Sequence, residues 1–262
     1  MAFVNDVERI LITSDWHVPF HNKLNVSAVF EFARDFKPHT SVIAGDFLDV
    51  PELSRHNKGS VAKLEGRRFS QTIDGGNSVL DRLDKALGQQ CKKRVFMWGN
   101  HENRAVRWLE SEGNSVFIGD PLLDIGNRLN LPKRKYEEIK KYPKGIYRAG
   151  RLRIIHGQYT AKHAAAAHVE RLGVNVVFGH THRSGMFLQP MLEGQRGGYA
   201  LGHLADAAQP ELDYAGINPG WSEGFGIAMV RKSGNFQVDL LNFIDGVFYW
   251  GGQQYGELRS AA

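Results

Sequence analysis

Five short apolar runs, each followed directly by a polar cluster, constrain the fold of this 262-residue chain more than any other feature. Each run has four or five residues, most of them apolar and rich in Val, Ile and Phe. Runs of this kind that close in Gly or Asp are typical of buried β-strands. The runs occupy residues 9–13, 41–44, 95–98, 152–155 and 174–178. The sequence therefore predicts buried strands that each end in polar residues.

The polar clusters contain carboxylates, imidazoles and one amide. Open α/β sheets build their sites at the carboxyl ends of their strands, so these side chains are expected to converge at one edge. A lone histidine such as His156 would ordinarily be a core residue, and it gains significance only from the other clusters. The clusters are Asp15-Trp16-His17, Gly45-Asp46-Phe47-Leu48-Asp49, Gly99-Asn100-His101-Glu102, His156 and Gly179-His180-Thr181-His182.

The donor types decide which metals are plausible. None is a thiolate, and mixed carboxylate and imidazole donors suit Mn, Fe, Zn or Ni, with Mn favoured as oxygen donors accumulate. A single ion takes about four protein ligands with one position left for water. Roughly seven donors converge here, which is enough for two ions that share a carboxylate. Pairs of ions about 3.5–4 Å apart serve displacement reactions at phosphorus.

The order of these five clusters resembles that of the calcineurin-like metallophosphoesterases. All five blocks appear in sequence from Asp15 to His182, about two-thirds of the chain. The resemblance implies an α/β fold in which a two-sheet β-sandwich is flanked by helices, with the site at the carboxyl ends of strands. It also implies a metal-dependent phosphoric ester hydrolase with two divalent ions, Mn²⁺ favoured and Fe, Zn, Ni or Mg as alternatives. A compact chain of this kind is similar to phage or bacterial members.

The same resemblance implies a role for each matching residue. His101 stands where the family keeps a histidine that is not a ligand and that acts as an acid or as a phosphate clamp, and Asp49 would orient that imidazole. A metal-bound hydroxide would attack phosphorus. The implied metal ligands are Asp15, His17 and His182 for the first ion, Asn100, His156 and His180 for the second, and Asp46 as the bridge.

Departures from particular subfamilies narrow the expected substrate. Ser/Thr protein phosphatases carry a Gly after Asp-x-His and Arg-Gly after Gly-Asp-x-x-Asp, whereas this chain has Val18 and Val50-Pro51. The Gly-His-Thr-His ending is typical of phosphodiesterases and nucleases. We therefore expect hydrolysis of phosphodiester bonds in nucleic acid or nucleotides. A phosphomonoesterase acting on nucleotides, small phosphate esters or phosphoproteins is the alternative, and a non-catalytic binding module is a minor one.

Charge is placed unevenly along the chain. Residues 128–153 hold ten Lys or Arg against two Glu, a balance of +8, while the whole chain carries +5. Basic residues interleaved with tyrosines suit a polyanion whose bases can stack. Within this segment we expect Lys133, Arg134 and Lys135 to contact substrate; a solvated surface hairpin is the alternative. A second basic stretch contributes Arg55, Lys58, Lys63, Arg67 and Arg68.

The remaining features predict one domain over residues 1–262, with insertions at about 51–76 and 113–150. One cysteine, Cys91, excludes a disulfide framework and favours a reducing compartment. No stretch approaches the ~20 apolar residues that span a bilayer. These observations predict a cytoplasmic protein, in the host cytoplasm if the gene is viral, with no membrane partner. They leave the oligomeric state open.

Helical periodicity predicts the connecting segments. The patterns place helices at about 26–33 with Asn25 as N-cap, from 79 to 87 after Asn77-Ser78, just after residue 102, and over 162–172. Alternating, Gly-rich stretches at 198–204, 226–230, 236–243 and 246–250 predict antiparallel strands and hairpins. His163 and His168 are expected on the surface of the 162–172 helix, and His203 is a candidate to line the cleft.

Overall fold

Two large β-sheets form the centre of the computed structural model, which describes residues 6–57, 64–192, 194–210, 212 and 220–259. A six-stranded sheet has the order β11-β10-β1-β2-β3-β4 and a five-stranded sheet the order β5-β6-β7-β9-β8. The first contains β1 (Val7–Thr13), β2 (Thr40–Ala44), β3 (Lys93–Met97), β4 (Tyr136–Ile139), β10 (Gly224–Arg231) and β11 (Phe236–Asn242). The second contains β5 (Tyr147–Ala149), β6 (Leu152–Ile155), β7 (Asn175–Phe178), β8 (Gly185–Met191) and β9 (Gly194–Ala200).

The strands that precede the polar clusters are parallel within each sheet. β1, β2, β3 and β4 run in one direction, and so do β6, β7 and β9. β10 and β11 extend the first sheet in antiparallel fashion, and β5 and β8 do the same at the two edges of the second. A separate hairpin consists of β12 (Val247–Trp250) and β13 (Gln253–Gly256). The polar clusters therefore follow the carboxyl ends of parallel strands, as the sequence predicted.

Alternation along the central strands divides the core between the two faces of the first sheet. Ile10, Val42 and Val95 belong to one buried cluster with residues of the second sheet, including Ile154 and Val177. The intervening residues Leu11, Ile43 and Phe96 belong to another buried cluster, together with the helices. The predicted two-sheet sandwich flanked by helices is confirmed.

Five α-helices lie among the described residues. They are α1 (Lys23–Phe36), α2 (Phe69–Leu87), α3 (Asn103–Leu109), α4 (Ile125–Arg128) and α5 (Ala164–Leu172), with single 3₁₀ turns at Pro51–Leu53, Arg55–Asn57 and Ser115–Phe117. The N-cap of α1 is Asn22, whose side chain accepts a hydrogen bond from the backbone of Asn25. Asn25 as N-cap was therefore wrong by three positions, because an equally good capping residue precedes it.

Helix α2 begins nine residues before Ser78 and passes through Gly75 and Gly76. A Cβ on Gly76 would lie 2.8 Å from a Leu48 methyl and 2.9 Å from a Leu129 methyl. The glycine lets the helix approach the loop after β2, so tertiary packing outweighs its low helix propensity. The sequence-based start of this helix was wrong for that reason.

The basic segment 128–153 does not form one surface hairpin. β4 pairs in parallel with β3 in the first sheet, whereas β5 pairs antiparallel in the second sheet with β6, which begins at Leu152. In the other predicted insertion, residues 69–76 already belong to α2, while Lys58 and Lys63 lie outside the described residues. In the described part of the chain, no helix combines the length and apolar character needed to cross a bilayer.

The expectation that His168 lies on the surface was wrong. His168 is fully buried on α5, its Nδ1 bonds the carbonyl oxygen of Ala164, and its ring stacks on Phe178 with centroids 3.8 Å apart. The Ala-rich pattern of this helix concealed which face points inward. His163, at the start of the helix, is exposed as predicted.

Candidate active site

Residues after β1 and β7 form a first group of candidate metal-ligand atoms. His17 and His182 face each other through their Nε2 atoms, 3.1 Å apart, and His182 Nε2 lies 3.2 Å from Asp15 Oδ1. All three residues are buried. One carboxylate oxygen and two imidazole nitrogens therefore converge on a single point, as a divalent ion requires.

Residues after β2, β3, β6 and β7 form a second group. His156 Nε2 lies 3.3 Å from Asp46 Oδ2 and 3.0 Å from Asn100 Oδ1. The other ring nitrogen, Nδ1, donates to the backbone oxygen of Ala44 over 2.9 Å. That bond fixes the orientation of the ring, so Nε2 points toward the oxygen donors. His180 completes the group, with a ligand atom within 4.8 Å of those of Asp46 and His156.

The backbone at these ligands is unusual. Five of the seven predicted metal ligands adopt a positive φ, a region that residues with side chains rarely occupy. Such conformations concentrate at active sites because they aim side chains that regular strands would direct elsewhere. These residues are Asp15 (φ 54°), His17 (53°), Asp46 (50°), His180 (67°) and His182 (57°).

Glycines before the ligands allow the loops to meet. A Cβ on Gly99 would collide with the Asp46 carboxylate and lie 2.6 Å from the Asp46 backbone nitrogen. A Cβ on Gly179 would collide with the side chains of Asp15 and Ser14. The glycines of the Gly-Asn-His-Glu and Gly-His-Thr-His clusters are thus required by close approach between neighbouring strand ends.

Electrostatics favour positive charge between the two groups. Burial alone would raise the pKa of Asp46, but the neighbouring His156 and His101 outweigh it and hold that pKa well below its usual value. Burial opposes protonation of His156, yet Asp46 raises its pKa to about 9. Buried carboxylates that stabilise a nearby cation are what a divalent ion needs, so the donor set fits a two-metal centre.

Asp49 is shared between a candidate ligand and the candidate acid. Its Oδ2 lies 2.9 Å from His17 Nδ1 and 3.2 Å from His101 Nδ1. The sequence assigned Asp49 to His101 alone. Since a carboxylate behind a ligand histidine fixes its ring and raises its basicity, Asp49 can serve both imidazoles at once.

Arg104, which belongs to none of the five polar clusters, lies against His101. Its Nη1 donates to the backbone oxygen of Asp49 over 2.6 Å and to Asp49 Oδ1 over 3.1 Å, and its Nη2 lies 3.0 Å from His101 Nε2. His101 Nδ1 bonds the same backbone oxygen over 3.0 Å. The Arg104 guanidinium therefore lies beside the His101 imidazole at the edge of the second group. Its signal in the sequence is only its position three residues after His101, one helical turn onward.

Glu102 is a second residue whose importance was missed. It is fully buried, and its two oxygens accept hydrogen bonds from the backbone of Asp46, Leu48 and Gly99 over 2.8–3.0 Å. Burial, followed by the charge of Asp46, raises its pKa to about 7. The side chain ties the loop after β2 to the loop after β3. Its place in the Gly-Asn-His-Glu cluster was the available signal.

Aromatic rings flank the two groups. The Trp221 ring lies 4.4 Å from that of His182 in the first group, and the Tyr142 ring lies 5.6 Å from that of His156 in the second. Both are half-buried. His203, a candidate to line the cleft, is buried with its ring 5.2 Å from that of His182. Tyr142 follows β4, so it reaches the site edge from the basic segment.

The structure does not bring Lys133, Arg134 and Lys135 to this edge. They precede β4, whose first residue pairs with Arg94 near the start of β3, and the clusters follow the opposite ends of these strands. Arg134 is mostly buried and forms an ion pair with Asp84 over 2.7 Å. These three residues therefore form no part of the substrate surface at the ligand edge.

A family model described as "Calcineurin-like phosphoesterase" matches residues 8–184. The chain belongs to that family, and together with the ligand groups this defines a metal-dependent phosphoester hydrolase. Its relatives include the Gene 54 proteins of Mycobacterium phages D29 and L5, each 26% identical over 92% of this chain and 96% of the relative. Wild-type Vps29 from Entamoeba histolytica complexed with Zn²⁺ has a loosely similar structure. Its TM-score is 0.45 and its identity 14%, over 92% of this chain and 96% of that one.

Proposed function

We propose that this protein hydrolyses phosphodiester bonds, with nucleic acid or a nucleotide as substrate. The observation that carries the proposal is the position of one aromatic ring beside each ligand group, Trp221 at His182 and Tyr142 at His156. A phosphodiester has a substituent on both sides of phosphorus, and a ring on each side can stack on a base. A monoester has one such substituent and would use only one ring.

Two divalent ions are proposed to bind at the two groups, with Asp46 between them. When bound, they supply charge neutralisation at phosphorus and a nucleophile from water. Manganese as the preferred ion and a cytoplasmic location remain predictions. The protein orients the two imidazoles, because Asp49 and the backbone of Ala44 fix the rings of His17 and His156 by bonding their Nδ1 atoms.

His101 and Arg104 are proposed to act on the leaving oxygen and the phosphoryl oxygens. His101 Nε2 lies 3.8 Å from Asp46 Oδ2, so the imidazole borders the second group without joining it. Nη2 of Arg104 faces that nitrogen. In this arrangement His101 Nε2 accepts a hydrogen bond from Arg104. We infer that substrate takes over the guanidinium bond, so that His101 Nε2 takes up a proton from water and passes it to the leaving oxygen.

The test compares two chromogenic substrates that differ only in ester number. With Mn²⁺, bis-p-nitrophenyl phosphate should be hydrolysed with a higher kcat/KM than p-nitrophenyl phosphate, and the dinucleotide TpT should be cleaved. Chelation followed by dialysis should abolish both activities, and Mn²⁺ should restore them. A clear preference for p-nitrophenyl phosphate would instead favour the phosphomonoesterase alternative.

Variants of the two aromatic residues distinguish loss of base stacking from structural disruption of the site. Tyr142→Ala and Trp221→Ala should each raise KM for TpT by roughly tenfold, since stacking on a base is worth about 1–3 kcal/mol. Tyr142→Phe keeps the ring and is the matched control, so it should behave as the parent. If Tyr142→Phe fails as badly as Tyr142→Ala, the ring does not act by stacking.

A further inference from the structure

A cavity of about 190 Å³ lies beside the loop that carries His180 and His182. Thr181, which stands between these two residues, lines it together with Arg183 of the same loop. Lys162 lines it from the segment before α5, and Phe187 lines it from β8. None of the roles assigned above uses this cavity.

Two of the lining residues are cationic. Arg183 Nη2 donates to the backbone oxygens of Thr160 and Ala161 over 2.6 and 3.4 Å, which holds the guanidinium in place. Its other nitrogens, Nη1 and Nε, have no acceptor among the described residues. Lys162 is exposed at the rim, and the described part of the chain contributes no carboxylate to the lining. A fixed guanidinium with free donors is suited to phosphate oxygens.

Several other lining residues are apolar. Phe187 is half-buried there, next to Met186 and Ala200. A nucleotide combines an anionic phosphate with a sugar and base that bury apolar surface, so it can contact both the cationic and the apolar residues of the lining. A strand held with one phosphate at the ligands also presents its next phosphate one nucleotide away, and Arg183 directly follows His182 in the chain.

We propose that this cavity binds the nucleotide next to the scissile phosphate, with Arg183 and Lys162 at the flanking phosphate and Phe187 against the sugar or base. The proposal rests on the proposed function and deepens it by naming a substrate of more than one phosphate. In this proposal the polyanion contacts lie beside the candidate ligands, and not at residues 133–135, where the sequence predicted them.

The experiment compares TpT, which has one phosphate, with TpTpT, which adds a flanking one, using the Mn²⁺-loaded enzyme. The parent should cleave one of the two bonds of TpTpT, the one whose flanking phosphate reaches the cavity, with a higher kcat/KM than the single bond of TpT. Arg183→Ala should lower kcat/KM for TpTpT roughly 10-fold or more and leave TpT almost unchanged, since a charge-assisted bond is lost only with the longer substrate. The slope of log KM against log salt for TpTpT should flatten by about 0.7.

Because Arg183 also bonds the backbone of residues 160–161, controls must separate loss of phosphate binding from disturbance of that loop. Metal content of each variant is measured, and Lys162→Ala, a surface change, should weaken TpTpT selectively without affecting the loop. Arg231→Ala, at the end of β10 and the opposite edge of the sheet, should match the parent. Equal kcat/KM values for TpT and TpTpT in the parent, or equal losses on both substrates in Arg183→Ala and Lys162→Ala, would overturn the subsite and leave the phosphodiesterase intact.

A parent enzyme that hydrolyses p-nitrophenyl phosphate but no diester would overturn the proposed function instead. Calorimetric binding of thymidine 3′,5′-bisphosphate then decides the subsite. Affinity roughly tenfold weaker in Arg183→Ala than in the parent supports it. Equal affinity in the two proteins overturns it.

Discussion

Replacement of Glu102 by Ala tests how the site is held together. The two oxygens of this buried carboxylate accept three backbone N–H groups, from Asp46, Leu48 and Gly99. With Ala at this position the three donors lose their acceptor in a place that water does not reach freely. The loops after β2 and β3, which carry candidate metal ligands of the second group, then lose the side chain that joins them.

The expected loss of stability follows from these contacts. A buried donor left without a partner costs about 1–3 kcal/mol, so three cost roughly 3–9 kcal/mol. Part of this loss is offset. Because the pKa of Glu102 is raised to about 7, its ionised form destabilises the folded protein above that pH, and removing the side chain relieves about 3 kcal/mol of this destabilisation. We therefore expect Glu102→Ala to lower the free energy of unfolding by about 3 kcal/mol at pH 8.

The pKa also sets the sign of the pH dependence. Because the folded-state pKa of Glu102 is raised from 4.5 to about 7, its stabilising contribution is complete below pH 4.5 and is lost as pH rises through 7. The deficit of Glu102→Ala should therefore be larger at pH 5 than at pH 8. Urea unfolding of chelator-treated parent and variant at both pH values measures this difference. Glu102→Gln, which keeps one carbonyl acceptor, should fall between them.

Two results would refute this reasoning. One is a Glu102→Ala variant within about 1 kcal/mol of the parent at both pH values, because even a single orphaned donor costs that much. The other is a deficit that grows as pH rises, because it would mean that Glu102 is ionised at low pH in the folded protein.

The remaining predictions concern chemistry and the far edge of the sheet. His101→Ala should lower turnover by ~10²–10⁴ while retaining metal, whereas Asp46→Asn should lose metal as well, which metal analysis of both variants distinguishes; equal metal loss would make His101 a ligand. Arg104→Ala should slow activated and unactivated leaving groups alike, because the phosphoryl charge is the same in both, while the defect of His101→Ala should shrink with activated ones. Arg134→Ala should leave hydrolysis of small diesters unchanged yet lower the thermal midpoint, since its half-buried ion pair with Asp84 is broken; unchanged stability would contradict that structural role.

The strands and the order of the polar clusters could be predicted because each depends on local sequence. An apolar run that ends in Asp or Gly specifies a buried strand and puts a polar side chain at its carboxyl end, so Asp15 and Asp46 could be located from sequence alone. Contacts between distant segments could not be predicted. Tyr142 reaches His156 only because β4 lies beside β3, and Lys133 is kept away from the ligands by the same pairing.

Helical periodicity also gave wrong predictions where tertiary packing determines burial and helix bounds. Nothing local distinguishes His168 from a surface histidine, since only the docking of α5 on Phe178 buries it. The start of α2 was missed because two glycines usually end a helix, whereas here Gly76 is needed for contact with Leu48. Arg104 was overlooked because a single arginine on a helix carries no pattern, and its meaning lies in the distances to Asp49 and His101.

Five of the candidate ligands have a left-handed backbone conformation. Substitutions that stabilise the protein at these positions would therefore reduce its activity. A non-glycine residue held in such a conformation costs of order 1–3 kcal/mol, and glycine relieves that cost. In a library of this gene screened only for resistance to heat, codons 17, 180 and 182 should drift toward Gly or Asn. Codons 15 and 46 should drift toward Asn, whose side-chain oxygen keeps the hydrogen bonds that the carboxylates accept from the backbone of His180 and His101. Each gain in stability would alter a candidate metal ligand. Stabilised descendants would then be inactive, and the positions at which they changed would trace the metal centre without any assay of catalysis.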